Sequence, residues 1–288
     1  MIQELIEVKK RNKYLKLIFF WDNVLGINKK WCLEFSELYR DQINLPFFAY
    51  SHPLCTDMEI MTALRKAGWV VTVMGIQSGS YSVRKSLYGR TETNEQVLEA
   101  TKKLNQLKNI KSSKSYFRIF YDYIKNNPME EKRELSESLD LFLKFQKGFI
   151  FQAFNLSFFP NYLVTKKFLE NRCITDKDIE GNVDSTSASN WITTFNSKKK
   201  YSGFLRRHEY YYLLFSLAQF KSFSNKLIKL IERKKLFYNH LHVLYFICMT
   251  FRIIELTFRI SNYRWLIDIF TMIPLKMKIK YKIFSRYN

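Results

Sequence analysis

The sequence predicts an α/β fold in which about five parallel strands form a partial, TIM-like (β/α) barrel, followed by a helical C-terminal region. Short runs rich in β-branched and aromatic residues alternate with amphipathic stretches through the first 160 residues. Strands and helices in this order imply parallel strands joined by right-handed crossovers. Glycine and proline number only 8 and 5 among 288 residues, which excludes collagen-like and low-complexity chains. Beyond residue 204 the pattern becomes helical and basic.

The five predicted strands are apolar along almost their whole length, as expected for strands that are covered on both faces. A closed barrel of this kind has eight strands, so the count predicts an open or partial barrel. The predicted strands are residues 14–21, 45–50, 69–76, 116–124 and 149–158.

Helices are predicted between the strands from end signals and from the spacing of apolar residues. Thr56 and Asp57 form a capping signal, and Gly68 is a stop signal. Thr93 lies three residues before Gln96, which is the spacing of a capping box. The predicted helices are residues 28–41, 57–67, 93–107 and 130–145.

Three consecutive parts are predicted along the chain. Residues 1–175 form the partial barrel, residues 176–204 form a polar surface loop, and residues 205–288 form a basic helical region. The helices predicted in the last part are residues 205–220, 222–236 and 238–260, and a final segment at 265–281 that Pro274 breaks.

The positive charge of the chain is concentrated in its last third. The formal net charge is +21, and residues 198–288 contribute +15 of it, with 19 Lys and Arg against 4 Asp and Glu. Such a surface suits an acidic partner, and the helix that contains Lys226, Lys229 and Arg233 suggests peripheral contact with an anionic membrane. A solvated basic surface without a dedicated partner is the alternative, and nucleic acid is the less expected partner.

Cysteine usage and hydropathy favour a cytoplasmic protein. The scattered cysteines exclude a disulfide framework, each is predicted to be a buried apolar residue, and no metal site is predicted. The most apolar late stretch, residues 241–258, contains two charged residues and therefore predicts no membrane-spanning helix. The four cysteines are Cys32, Cys55, Cys173 and Cys248.

The segment at residues 75–80 ends the third predicted strand and opens a helix, which places it at the ligand-binding end of a parallel barrel. Its glycines let a ligand approach the backbone, and its glutamine can donate and accept hydrogen bonds. Its serines can cap the helix, whose N-terminus attracts carboxylate or phosphate. A plain capped turn is the alternative. The residues that carry the motif are Gly75, Gln77, Ser78, Gly79 and Ser80.

Arg90 and Asp122 complete the candidate site. Arg90 follows a short predicted helix and can pair with a carboxylate bidentately, or serve only as an exposed residue at a helix C-terminus. Asp122 lies near the end of an apolar strand, where a carboxylate costs free energy unless a partner satisfies it, as a ribose hydroxyl would. A capping or loop role is the alternative for Asp122.

The order of these motifs resembles the radical S-adenosylmethionine (SAM) superfamily, and most closely its branch with an N-terminal cobalamin-binding domain. The resemblance covers residues 13–175. It implies a SAM pocket that Gln77 and the next three residues line, where Arg90 pairs the SAM carboxylate and Asp122 lies near the ribose or adenine. The motifs in chain order are Asp22-Asn23, residues 30–39, 45–47, 64–68, 75–80, 122–130 and 158–161.

One departure from the family pattern determines the expected function. Members hold a 4Fe-4S cluster with Cys-x3-Cys-x2-Cys, and the sequence contains no such triplet. The chain is therefore predicted to be a fragment that starts after the cluster strand and has no catalytic residue of its own. It is expected to bind neither cluster nor cobalamin alone, and to be inactive without an upstream polypeptide that carries those parts.

Two alternatives and two local expectations complete the sequence interpretation. The chain could instead be a non-catalytic protein that binds SAM or a nucleoside, or a basic protein that associates with membranes or nucleic acid. His52, at the end of the second predicted strand, is expected to be a turn residue rather than a ligand. Asn161 replaces the usual glycine of its motif and is expected to adopt a left-handed backbone conformation.

Overall fold

The computed structural model describes residues 1–21, 24–112, 116–176, 179 and 203–258. The chain divides into two compact units that interleave in sequence. Unit 1 comprises Met1–Tyr123 and Asp140–Phe151, and unit 2 comprises Ile124–Leu139 and Gln152–Asn288. The predicted loop at 176–204, the segment at 265–281 and Asp22-Asn23 lie wholly or mostly outside the described residues. The predicted domain boundaries therefore stay a prediction.

Five parallel strands form one sheet, in which each strand lies beside the next one in the sequence. This order and direction confirm the predicted partial barrel. The strands are β1 (Ile18–Phe19), β2 (Phe47–Ser51), β3 (Trp69–Gln77), β4 (Arg118–Lys125) and β5 (Ile150–Asn155).

Strand β1 is shorter than the sequence predicts. Ile18 pairs with Phe47 of β2, so residues 14–17 would have to pair with residues 43–46. The chain forms a π-helical turn over Tyr39–Ile43, and Pro46 has no N–H to donate. The ladder therefore cannot extend towards the N-terminus.

Two helices of unit 1 begin at the capping residues that the sequence predicts. The Asp57 carboxylate accepts hydrogen bonds from the N–H groups of Glu59 and Ile60, and Thr93 and Gln96 form a complete capping box. The N-terminal helix α1 was not predicted from the sequence; it buries no residue fully, and Lys9 bonds the carbonyl of Ile43. The helices of unit 1 are α1 (Ile2–Arg11), α2 (Lys29–Leu38), α3 (Met58–Ala67), α4 (Tyr81–Tyr88) and α5 (Asn94–Gln106).

The two faces of the sheet in unit 1 have different surroundings. Successive strand residues point to opposite faces, so Phe20 and Phe47 pack against Phe35 of α2. On the other face Phe48 and its neighbours form a separate aromatic cluster. The members of that cluster are Phe19, Trp21, Phe48 and Tyr50, and Trp21 is 72% exposed. This aromatic cluster therefore lies on the face of the sheet opposite α2.

Unit 2 is mainly helical. Helix α6 starts in unit 2 and ends in unit 1, and α7 was not predicted from the sequence because no capping signal precedes it. Asn161 has a φ of +69°, so the expected left-handed conformation is confirmed. The helices are α6 (Lys132–Leu143), α7 (Leu163–Glu170), α8 (Gly203–Ala218), α9 (Asn225–Arg233) and α10 (Leu241–Phe258). Within the described ranges, none of the helices combines the length and apolar character that crossing a membrane requires.

A chain of hydrogen bonds in unit 2 fixes the turn that follows β4. The Asn126 N–H donates to the Tyr212 hydroxyl at 2.6 Å, and the same hydroxyl lies 2.7 Å from Nδ1 of His208. Nε2 of His208 lies 2.9 Å from the Glu130 carbonyl. Because a carbonyl only accepts, the ring hydrogen lies on Nε2, and Nδ1 accepts from Tyr212. The buried imidazole is therefore neutral with both nitrogens satisfied.

Burial lowers the pKa of His208 to about 4. The unfolded chain takes up this proton near pH 6.5, so the stability that the neutral ring contributes is present above pH 6.5. It is lost as pH falls through 4. We expect urea denaturation to show that the native chain has a higher free energy of unfolding than His208→Gln at pH 7. This difference should shrink by about 2–3 kcal/mol between pH 7 and pH 4.5. His240→Gln, at an exposed histidine of the same unit, should show no such change. If the free energies of unfolding of the native chain and His208→Gln changed with pH in parallel, the assignment of His208 as a buried neutral ring would be contradicted.

Candidate functional site

The predicted site residues all belong to unit 1, and most lie where β3 and β4 end. Gly75 pairs with Asp122 in the parallel ladder. The register then shifts, so that Gln77 rather than Ile76 pairs with Tyr123. This irregularity ends the regular strand and turns the chain out of the sheet.

Gln77 adopts a backbone conformation that is unusual for a residue with a side chain. Its φ is +66°, and the Ser78 N–H donates to the Ile76 carbonyl at 2.8 Å, which closes a three-residue turn around it. A non-glycine residue in this region costs about 1–3 kcal/mol, and such strain is concentrated at functional sites.

The serines that follow are used within the loop. The Ser78 hydroxyl accepts from the Ser80 N–H at 3.1 Å, and the Ser80 hydroxyl pairs with Ser82 at 3.0 Å. Ser80 is the N-cap residue of α4, but its side chain makes no capping hydrogen bond, so the predicted capping by its hydroxyl is wrong. Both serines and the intervening Gly79 are buried. Their side chains shape the turn.

Arg84 holds this loop in place, a role that the sequence interpretation missed. Its buried guanidinium donates to the carbonyls of Ser78 at 2.8 Å and Glu92 at 3.2 Å, and to Oδ1 of Asn94 at 2.6 Å. It therefore joins the turn after β3 to the segment before α5. The sequence offers only a weak signal, an arginine among the buried positions of a short helix.

Arg90 is anchored by other groups of the protein. Its Nη1 donates to Oε1 of Glu92 at 2.9 Å and to the Gly75 carbonyl at 3.0 Å, and it lies 3.3 Å from Nε2 of His52. Glu92 is only 1% exposed, against 20% for Arg90. Burial alone would raise the pKa of Glu92, but the hydrogen bond and the charge of Arg90 hold it below its usual value. The sequence predicts Arg90 as a site residue, but it does not identify Glu92 as the buried partner.

Because Gly75 has no side chain, two other side chains of the site can lie against its backbone. A Cβ atom there would clash with Nε2 of Gln77 and approach Nη2 of Arg90 to 3.2 Å. Both side chains therefore lie over the backbone of Gly75, whose strand partner is Asp122. The structure thus brings Gln77, Arg90 and Asp122 around one residue.

Asp122 carries an unsatisfied carboxylate oxygen. Its Oδ1 is out of contact with solvent, and it has no hydrogen-bond partner among the residues that the structure describes. Burial raises the pKa of Asp122 to about 8. The charge of Asp122 also adds to the effect of burial in raising the pKa of Tyr50 on β2. Asp122 is therefore protonated at neutral pH and lacks the partner that such a group normally has.

The described residues offer hydrogen-bonding groups to an organic ligand but no group of ligands for an iron–sulfur cluster. The unsatisfied oxygen of Asp122 suits a polar organic ligand. In the described part of the chain, no three His, Cys, Asp or Glu side chains are grouped to hold a metal. All four cysteines are free; Cys32 and Cys248 are buried as predicted, but Cys55 is only half-buried and Cys173 is exposed because it lies in the turn after α7.

Comparisons with known proteins identify structural relatives but no family. No protein-family model matches the chain, and neither does any curated protein. Solved structures that are similar to this chain include coproporphyrinogen III oxidase (HemN) from Escherichia coli, described as a radical SAM enzyme. HemN shares 17% identity over 62% of this chain and 39% of its own, with a TM-score of 0.45.

Two cobalamin-dependent enzymes give similar values. The radical SAM methyltransferase TsrM from Kitasatospora setae, with cobalamin and a [4Fe-4S] cluster bound, shares 12% identity over 59% of this chain and 33% of its own, with a TM-score of 0.48. The radical SAM enzyme OxsB with aqua-cobalamin bound shares 13% identity over 93% and 44%, with a TM-score of 0.43.

These solved structures are enzymes of the class that the sequence motifs resemble. The chain spans less than half the length of each of them. At these identities and TM-scores the similarity carries no argument about activity.

The cost of burying Asp122 can be measured directly. With the pKa of Asp122 raised to about 8, the native chain loses stability as pH rises from about 4 to 8, because the unfolded carboxyl ionises first. We expect Asp122→Asn to be more stable than the native chain by roughly 2–4 kcal/mol at pH 8.5 in urea denaturation, and this difference to shrink towards pH 4. Glu99→Gln, at an exposed carboxylate of α5, is the control. A pH-independent difference would show that the Asp122 carboxylate is not desolvated.

Proposed function

We propose that unit 1 binds SAM where β3 and β4 end, as the ligand-binding half of a radical SAM protein whose cluster is not held by this chain. The observation that carries this proposal is the unsatisfied Oδ1 of Asp122, in register with Gly75 and beneath an anchored arginine. A buried carboxyl without a partner destabilises a fold unless a ligand satisfies it. A ribose hydroxyl can accept from and donate to such a group.

The site residues have complementary roles in this proposal. Glu92 and the Gly75 carbonyl use the Nη1 hydrogens of Arg90, which leaves Nη2 to donate to the ligand carboxylate. The Gln77 amide, which lies over Gly75, donates to or accepts from the ligand. Asp122 bonds the ribose. SAM supplies radical chemistry in that superfamily when it is reductively cleaved, and no step of that chemistry is assigned to the residues of this chain.

Two versions of the proposal differ in what surrounds the site. In the first, an upstream polypeptide supplies the cluster and a cobalamin-binding domain, and the chain is inactive alone. In the second, the chain is a non-catalytic protein that binds SAM or a nucleoside. The first version, and the second wherever SAM is the ligand, require that the chain binds SAM without iron, so one measurement tests the part they share.

Titration calorimetry of the iron-free chain with SAM tests the proposal. We expect binding by the native chain and at least tenfold weaker binding by Gly75→Ala. The added Cβ displaces the ends of Gln77 and Arg90. Because the atoms nearest the added Cβ are the ends of side chains and not backbone atoms, the thermal midpoint should change little. Gly203→Ala is the matched control, since a Cβ there meets no atom within 4 Å. Absence of SAM binding by the native chain, or equal binding by Gly75→Ala, would refute the proposal.

A second candidate function, contact with an anionic membrane surface, is favoured by helix α9. Ile228 and Ile231 are buried, whereas Leu227 and Leu230 remain about 40% exposed on the outer side. Basic residues flank these leucines. Such a surface combines apolar insertion with attraction to anionic lipids. The basic residues in and directly after the helix are Lys226, Lys229, Arg233, Lys234 and Lys235.

Vesicle co-sedimentation tests this second candidate. We expect the chain to bind vesicles that contain phosphatidylserine and not purely zwitterionic ones. The pair Leu227→Ser and Leu230→Ser should weaken binding about tenfold or more, because burying one leucine side chain contributes about 1.5–3 kcal/mol. Leu38→Ser, at an exposed leucine of α2, is the control. Binding that is indifferent to lipid charge and to the paired variant would rule out this surface.

A further inference from the structure

His52 lies beside the candidate SAM site, although the sequence indicated only a turn residue. It follows Ser51, which pairs with Met74, so it lies level with Gly75 at the edge of the sheet. Its Nδ1 lies 3.2 Å from the Leu54 N–H, and its Nε2 lies 3.3 Å from Nη1 of Arg90. Its ring is half-buried.

The Nη1 hydrogens of Arg90 are not available for a hydrogen bond to the His52 ring. Nη1 of Arg90 carries two hydrogens, and the Gly75 carbonyl at 3.0 Å and Glu92 at 2.9 Å accept both of them. His52 at 3.3 Å is the longest of the three contacts. An arginine has no acceptor to offer in return. Nη1 is therefore not an effective hydrogen-bond partner for Nε2.

The hydrogens of the imidazole point to the same conclusion. Burial lowers the pKa of His52, and the charge of Arg90 lowers it further, so the ring is neutral and has one N–H and one acceptor. The Leu54 N–H uses Nδ1 as the acceptor. The ring hydrogen must then lie on Nε2, where it faces the N–H groups of Arg90. Two donors face each other with no acceptor between them.

We infer that the Nε2–H of His52 is a binding group for a ligand carboxylate, which accepts hydrogen bonds from His52 and from Nη2 of Arg90 together. Within the described residues, Nη2 of Arg90 makes no hydrogen bond to the protein, and it lies over the backbone of Gly75, 3.2 Å from where a Cβ atom would stand. A carboxylate oxygen between the two groups resolves the opposition of donors. The inference rests on the proposed function and assigns the amino-acid end of SAM to this corner of the site.

The anchoring of Arg90 explains why a neutral second donor suits this position. Glu92 already balances the charge of Arg90 at 2.9 Å, so the pair attracts an anion less strongly than a lone arginine would. A histidine N–H adds a directed hydrogen bond without a further charge that would have to be desolvated. Lysine or arginine at position 52 would place a second cation beside Arg90.

Two ligands and two variants test the inference. His52→Phe keeps the ring shape and removes the donor, whereas His52→Gln keeps a donor. We expect calorimetry to show SAM binding about tenfold weaker in His52→Phe and within about threefold of native in His52→Gln. Methylthioadenosine, which lacks the carboxylate, should bind the native chain and both variants equally, which also shows that the variants are folded.

The outcomes separate this inference from the proposed function. Equal binding of SAM by the native chain and His52→Phe would overturn the role of His52 and leave the proposed function intact. Absence of SAM binding by the native chain would overturn both. Nitrogen-15 spectra of the ligand-free chain provide an independent measurement, since they should show the Nε2–H tautomer of His52. The Nδ1–H tautomer would overturn the inference whatever the calorimetry shows.

Discussion

The candidate site depends on the bare backbone of Gly75. Its carbonyl accepts a hydrogen bond from Arg90, the Gln77 amide lies over its α-carbon, and its strand partner is Asp122. A side chain at this position would displace two of these three neighbours. The φ of Gly75 is not positive, so a left-handed backbone is not the reason for a glycine here. The glycine is required because other side chains approach its backbone closely. Gly75 therefore lets the end of β3 bring Arg90, Gln77 and Asp122 together.

Three unfavourable features lie together around this glycine. Gln77 has a positive φ, Asp122 has an unsatisfied buried oxygen, and His52 presents a donor to another donor. The buried histidine of unit 2 shows the opposite case, because both nitrogens of His208 have well-placed partners. Proteins retain such local costs where function requires them, and one rim of unit 1 holds three.

Sequence patterns predicted the features that local chemistry determines. The caps at Asp57 and Thr93 satisfy N–H groups two or three residues away, so their signals are readable without the fold. The anchoring of Arg90 was missed because Glu92 acts through its burial, which only packing produces. The sequence predicts that His52 is a turn residue, and its contact with the Leu54 N–H agrees with this prediction. Its position beside Arg90 depends on the register between β2 and β3, which the sequence does not specify.

The charges of the site favour a ligand that brings its own charge separation. Arg90 and Glu92 neutralise each other, while His52 and, at neutral pH, Asp122 are uncharged. The site residues therefore present directed donors and acceptors with little net charge. A ligand with a carboxylate at one end and a cationic centre nearer Asp122 would meet donors at the first and favour ionisation of the carboxyl at the second. Binding of such a ligand would then be coupled to release of the Asp122 proton, because the ionised form gains a partner that the protein itself does not provide.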